Sequence, residues 1–181
     1  MPDYRRAAVS GGCYFFTLVS ERRQPILTHP DVRLALRAAI ETVRLTRPFT
    51  IDAWVLLPDH LHAIWRLPPD DKDFSNRWRL IKRHVTHACG RAHLRDDLMS
   101  ERRRLKGQGT LWQQRFWEHL IRDEHDYGRH FDYLHGNPLK HGLVTRVRDW
   151  PWSSFHRWVN RGVYPIDWAG DTRTDDLGAG E

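Results

Sequence analysis

Two short stretches carry side chains whose type and spacing could do chemistry. In Leu57-Pro58-Asp59-His60-Leu61-His62, two histidines stand two residues apart. On a β-strand residues i and i+2 share a face, so both imidazoles would project together while Leu61 turns away. Two imidazoles on one rigid strand supply half of a divalent-cation site. In a chain with 12 histidines the same pair could also be ordinary solvated or core residues. The second stretch is Asp132-Tyr133-Leu134-His135-Gly136-Asn137-Pro138. On a helix, Tyr133 and Asn137 lie four apart, one turn along a shared face. The Asn137 side-chain oxygen is a hard ligand suited to Mg²⁺ or Mn²⁺. A tyrosine beside such a cation is a candidate nucleophile that forms a covalent intermediate. Spacing leaves a plainer alternative open, in which Asn137 caps the helix and Tyr133 only packs. Tyr127 is the rival nucleophile; six residues earlier, about 600° around a helix, it faces elsewhere.

Those residues need elements to hold them. Residues 13–20 are aromatic and then β-branched, a first strand. Pro30 opens a helix over 31–45 with Val32, Leu36, Ala39, Ile40 and Val43 at helical spacing, and Pro48 follows its end. Residues 49–57 and 60–67 read as a hairpin about Pro58-Asp59, which puts both histidines on its second strand. Ser75 is the expected N-cap of a helix to about residue 92. Residues 92–110 have no apolar period and read as a basic loop. A last strand is expected at 116–122 and a helix at 124–135. Pro138 should end that helix at or near Asn137, because the residue before a proline avoids the α region. A final short helix is expected over 152–159. The order β-α-β-β-α-β defines an α+β protein of the ferredoxin-like, split βαβ plan, with an antiparallel sheet, helices on one face and C-terminal helices added. Residues 1–170 are expected to form one domain, and the polar stretch 171–181 a frayed tail.

At 181 residues the chain can bury a sizeable core without staples. Two cysteines, Cys13 and Cys89, cannot make a disulfide framework or a four-cysteine zinc site. No apolar run reaches the length of a membrane span, and MPDYRRAAVSGG lacks the apolar centre of a signal peptide. A cytoplasmic location follows as the expectation. The formal net charge is +6, and it is unevenly spread: residues 74–122 hold 12 Lys/Arg against 4 Asp/Glu, so one segment carries the whole surplus. A basic block of this kind points to a polyanion, most often nucleic acid. Nine tryptophans are an unusual number, and aromatics interleaved with basic residues suit stacking on single-stranded bases, although most of these tryptophans belong in a core. The candidate DNA contacts are Arg79, Lys82 and Arg83 on the helix and Arg102, Arg103 and Arg104 in the basic loop, with Arg5 and Arg6 near the N-terminus.

Taken together, His60-Leu61-His62, the stretch DYLHGNPLKHG and the segment PIDWAG resemble the REP-associated tyrosine transposases, relatives of the single-tyrosine transposases of the HUH (His, hydrophobic, His) class. The resemblance runs from about Tyr4 to Gly170. It implies a ferredoxin-like fold, Tyr133 as catalytic nucleophile, and a divalent cation, Mg²⁺ or Mn²⁺, on His60, His62 and Asn137. It further implies cleavage and joining of single-stranded DNA through a 5′-phosphotyrosine. The DNA partner would be a REP-type hairpin with an adjacent tetranucleotide, bound by a monomer or homodimer at the nucleoid. Two other functions fit the same residues: a non-catalytic regulator that only binds REP hairpins, and a metal-dependent nuclease that uses water. Residues 92–110 depart from the family as a longer loop, expected either to clamp DNA or to be disordered.

Overall fold

The computed structural model describes residues 9–170, so Arg5, Arg6 and the expected tail 171–181 lie outside the described residues. Along the chain run β1 (Cys13–Val19), α1 (Pro30–Thr46), β2 (Thr50–Leu56), β3 (His60–Arg66), α2 (Phe74–Cys89), α3 (Glu101–Leu105), β4 (Trp117–Leu120), α4 (Glu124–Lys140) and α5 (Phe155–Val159). The four strands form one sheet in the order β2-β3-β1-β4, every neighbour antiparallel. This is the split βαβ sheet expected from the order of elements.

The period of two along each strand sorts residues onto two faces. Tyr14, Phe16 and Leu18 of β1 and Leu61, Ala63 and Trp65 of β3 meet α1 and α2 through Val32, Leu36, Trp78 and Ile81. Phe15 of β1, Ile64 of β3 and Val55 of β2 meet Phe131 and Leu134 of α4 and Phe155 of α5. The two helices of the plan, α1 and α2, share one face of the sheet, and the added helix α4, with its own apolar stripe, covers the second. A bulge between Ile51 and Ala53 keeps β2 consistent with this sorting. It inserts a residue at Asp52, so Ile51, Trp54 and Leu56 share the face toward α1.

Helix boundaries differ from local expectation where a tertiary partner decides them. α2 is capped by Asp73 rather than Ser75, because the Asp73 carboxylate accepts both the backbone N–H (3.0 Å) and the side-chain amide (2.7 Å) of Asn76. That start seats Phe74 in the core. The wholly buried Arg77 then ties α2 to Asp71 and to the carbonyls of Arg47 and Pro48. Residues 92–110 are not a structureless loop. Ser100 accepts the Arg103 N–H and caps α3, and the Arg103 guanidinium pairs with Glu21 and donates to the Gly109 carbonyl. α4 does not stop at Asn137 but runs through Pro138 to Lys140. The proline costs one helical hydrogen bond, to the Leu134 carbonyl, only two residues from the end. The buried side chain of Asn137, held against His60, overrides the local preference of a pre-proline residue.

No helix among the described residues is long and apolar enough to cross a membrane.

Candidate active site

Strand β3 leaves the Pro58-Asp59 turn and at once presents His60 and His62 to the α4 face of the sheet. Both are buried, as are Tyr133 and Asn137. The His60 and His62 rings are 4.9 Å apart. His60 Nε2 lies 3.3 Å from Asn137 Oδ1, and the Tyr133 ring sits 5.4 Å from His62. The structure thus brings together all four residues singled out from the sequence, two from a strand and two from one face of a helix.

Each imidazole has its other nitrogen engaged. His60 Nδ1 is 2.7 Å from Asp59 Oδ1, and because a carboxylate only accepts, Nδ1 carries the proton and Nε2 presents a lone pair. Burial alone would raise the Asp59 carboxyl, but the hydrogen bond from His60 and the Arg23 ion pair hold it down at about 2. His62 Nδ1 is 2.9 Å from Thr17 Oγ1, directly across the β1–β3 ladder. The Thr17 hydroxyl can accept from this nitrogen, and in that tautomer His62 Nε2 presents the lone pair. Orienting partners behind ligating histidines are the usual mark of a metal site. The 3.3 Å between His60 Nε2 and Asn137 Oδ1 is a spacing two ligands of one small cation adopt at bond lengths of about 2.1 Å. The residues fit a divalent cation.

Helix α4 is fixed at both ends. Asp123 caps its start, and Asp126 accepts from His119 Nε2 of β4 at 2.8 Å. In its last turn, Lys140 Nζ donates to the Tyr133 hydroxyl at 3.3 Å and sits 4.7 Å from the centre of its ring. His141, which caps the helix, places its ring 5.0 Å from His60. Asp59, Thr17, Lys140 and His141 were not read as site residues from the sequence. Asp59 adjoins His60 in the chain, Thr17 needs the strand register to be found, and Lys140 needs the helix to continue past Pro138. The rival Tyr127 stacks on Phe131. Burial and the Asp52 carboxylate push its phenol well up, which makes it a poorer nucleophile.

The basic residues fall in a groove of about 1290 Å³ between α2 and the 92–116 segment, lined among others by Arg79, Lys82, Arg83, Arg104 and Lys106. Lys82 Nζ also donates to the Gln113 and Gln114 carbonyls, which ties the groove walls together. Arg102 is exposed, whereas Arg103 is only 8% exposed and turned inward to Glu21. Arg103 also lines the groove, but its guanidinium is already engaged by Glu21. A second groove of about 740 Å³ lies along β2, α1 and α5, where Arg33 sits over Trp152 and Arg161 over Trp158. Counting charge along the chain missed it, because its arginines come from distant, balanced segments.

Comparison with known proteins finds transposases that match the chain along its whole length. The chain is 50% identical over 181 residues to the REP-associated tyrosine transposase of Escherichia coli K12, covering all of this chain and 98% of that one. A Haemophilus influenzae relative described in the same family terms is 40% identical over 172 residues, covering 94% and 95% of the two chains. A solved structure of a REP-associated tyrosine transposase bound to a REP hairpin matches with a TM-score of 0.83 at 49% identity, covering 100% of this chain and 98% of that chain. No family model matches. The chain belongs to the REP-associated tyrosine transposases.

Proposed function

We propose that this protein is a metal-dependent enzyme that nicks and rejoins single-stranded DNA at REP-type hairpins through a 5′-phosphotyrosine on Tyr133. The observation that carries the reading is the convergence of Tyr133 and Asn137, on one face of α4, with His60 and His62 of β3 in a buried cluster. His60, His62 and Asn137 would hold a divalent cation, Mg²⁺ or Mn²⁺, which supplies Lewis-acid stabilisation and orientation of the scissile phosphate when bound. Asp59 and Thr17 orient the two imidazoles. Tyr133 forms a bond to phosphorus as the bond to the 3′-oxygen breaks, leaving a free 3′-OH. Attack by a 3′-OH on the phosphotyrosine reverses the step, so joining needs no nucleoside triphosphate.

The groove beside α2 holds the DNA through phosphate contacts, with Arg79, Lys82, Arg83 and Arg104 on its walls and Arg102 exposed nearby. The relative solved with a REP hairpin supports that choice of partner. Chromosomal hairpins place the work in the cytoplasm.

The test is a suicide single-stranded substrate: a REP hairpin with flanking single strand, nicked so that the released piece diffuses away. A covalent protein–DNA band that needs Mg²⁺ or Mn²⁺ is expected. Cleavage without a covalent band would mean a hydrolytic nuclease. Tight binding without cleavage would mean a regulator that only recognises the hairpin.

A further inference from the structure

Lys140 lies outside the residues given a role above, yet its ammonium group is in contact with the proposed nucleophile. Its Nζ donates to the Tyr133 hydroxyl at 3.3 Å and lies 4.7 Å from the ring centre. The contact is built by the backbone. Seven residues of α-helix turn about 700°, so positions 133 and 140 share a face two turns apart. That register exists only because α4 runs through Pro138. Among the described residues, the titratable groups of this cluster include His62, 5.4 Å from the Tyr133 ring, His60 beside His62, and His141 beside His60. Asp59 faces the far side of His60.

From this geometry we propose that Lys140 is a further catalytic residue, a fixed positive charge that stabilises negative charge on the Tyr133 oxygen as it attacks and as it leaves. The proposal rests on Tyr133 being the nucleophile. In cleavage the phenol loses its proton to solvent, the O–P bond forms, the bond to the 3′-oxygen breaks, and that oxygen takes a proton from solvent. In joining the same bonds change in reverse and Tyr133 is the leaving group. Lys140 remains an ammonium throughout, so its charge helps both directions. Lys140 is itself exposed, but it meets the hydroxyl of a buried tyrosine, where one donor aimed at developing negative charge is worth about 10²-fold in rate.

The experiment compares wild type, Lys140→Met and Lys140→Arg in single-turnover cleavage and joining on hairpin DNA at saturating protein and Mg²⁺. Expected for Lys140→Met is a loss of about 10²-fold in both directions, with hairpin affinity and Mg²⁺ half-saturation unchanged; Lys140→Arg, which keeps the charge, recovers much of it. The methionine deficit should persist on a substrate whose leaving 3′-oxygen is sulfur, which needs no proton. If the deficit disappears on that substrate, Lys140 assists the leaving group and the proposal is wrong. It is also wrong if the deficit is only in DNA affinity, or if Lys140→Met cleaves at the wild-type rate. Tyr133→Phe is run alongside: an adduct persisting there would overturn the Tyr133 reading itself, separately from the role of Lys140.

Discussion

The two faces of the sheet are built from alternate residues of the same strands, yet they do opposite things. Toward α1 and α2, β3 contributes Leu61, Ala63 and Trp65, and the surface is an aromatic stack in which Trp65 lies 3.9 Å from Trp78 and 4.0 Å from Phe49. Toward α4, the same strand contributes His60 and His62, which are just as deeply buried but in contact with Asn137, Tyr133, Asp59 and Thr17. The first face stabilises the sheet by removing apolar area from water. The second places polar groups where burial costs free energy unless each has a partner. One face therefore makes the platform rigid enough for the other to hold a site, and the two should fail differently when mutated.

The largest effect is expected on the packing face. Trp65→Ala should cost about 4 kcal/mol, since it leaves a cavity between Trp78 and Phe49. Urea unfolding measures it; a loss below about 1 kcal/mol would mean the stack contributes little. On the opposite face, His62→Ala should lower metal-dependent cleavage by about 10³-fold, the loss of several kcal/mol at the transition state. Its midpoint of unfolding should change far less than that of Trp65→Ala. Unchanged cleavage in Mg²⁺ or Mn²⁺ would remove the metal role from β3.

A smaller change would sharpen the contrast within the site face. Asp59→Asn keeps the shape but removes the carboxylate that fixes the His60 tautomer, so Mg²⁺ half-saturation should rise by about 10- to 100-fold, alongside a stability loss from the Arg23 ion pair that is smaller than that of Trp65→Ala. A metal titration of cleavage reads this directly. The smallest effect concerns His135, buried under α5 with Nδ1 donating to the Phe131 carbonyl and Nε2 meeting Ser154 Oγ. Burial depresses it to about 3. Below pH 6.5 the unfolded chain binds a proton that the folded chain refuses until about 3, so stability should fall as pH drops through that window, by at most about 1.4 kcal/mol per pH unit. Asp59 adds its own loss only below the ordinary carboxylate range. His135→Gln should flatten the slope between pH 6 and 4; an unchanged slope would assign the acid sensitivity to other groups.

Alternation on a strand and spacing on a helix were enough to pair His60 with His62 and Tyr133 with Asn137, because both patterns follow from backbone geometry alone. The partners that orient those residues were not legible in the same way. Thr17 meets His62 only through the β1–β3 register, which no local pattern fixes. Lys140 was hidden by the proline rule: applied locally it ends α4 at Asn137, whereas contact with His60 carries the helix on. The run Arg102-Arg103-Arg104 looked uniformly basic, but a short capped helix turns its middle member inward to Glu21. In each case a contact distant in sequence decided what the local signal left open.

The central claim is that the buried polar face of β3 serves a nucleophile on α4, and trypsin offers a direct test. Cleavage after Arg122, Arg129 and Lys140 places Tyr127 and Tyr133 in separate peptides, 123–129 and 130–140. Mass spectrometry of the protein after reaction with the suicide substrate should find the nucleotide on peptide 130–140, with fragment ions assigning it to Tyr133. A nucleotide on peptide 123–129, or cleavage with no modified tyrosine, would contradict the account.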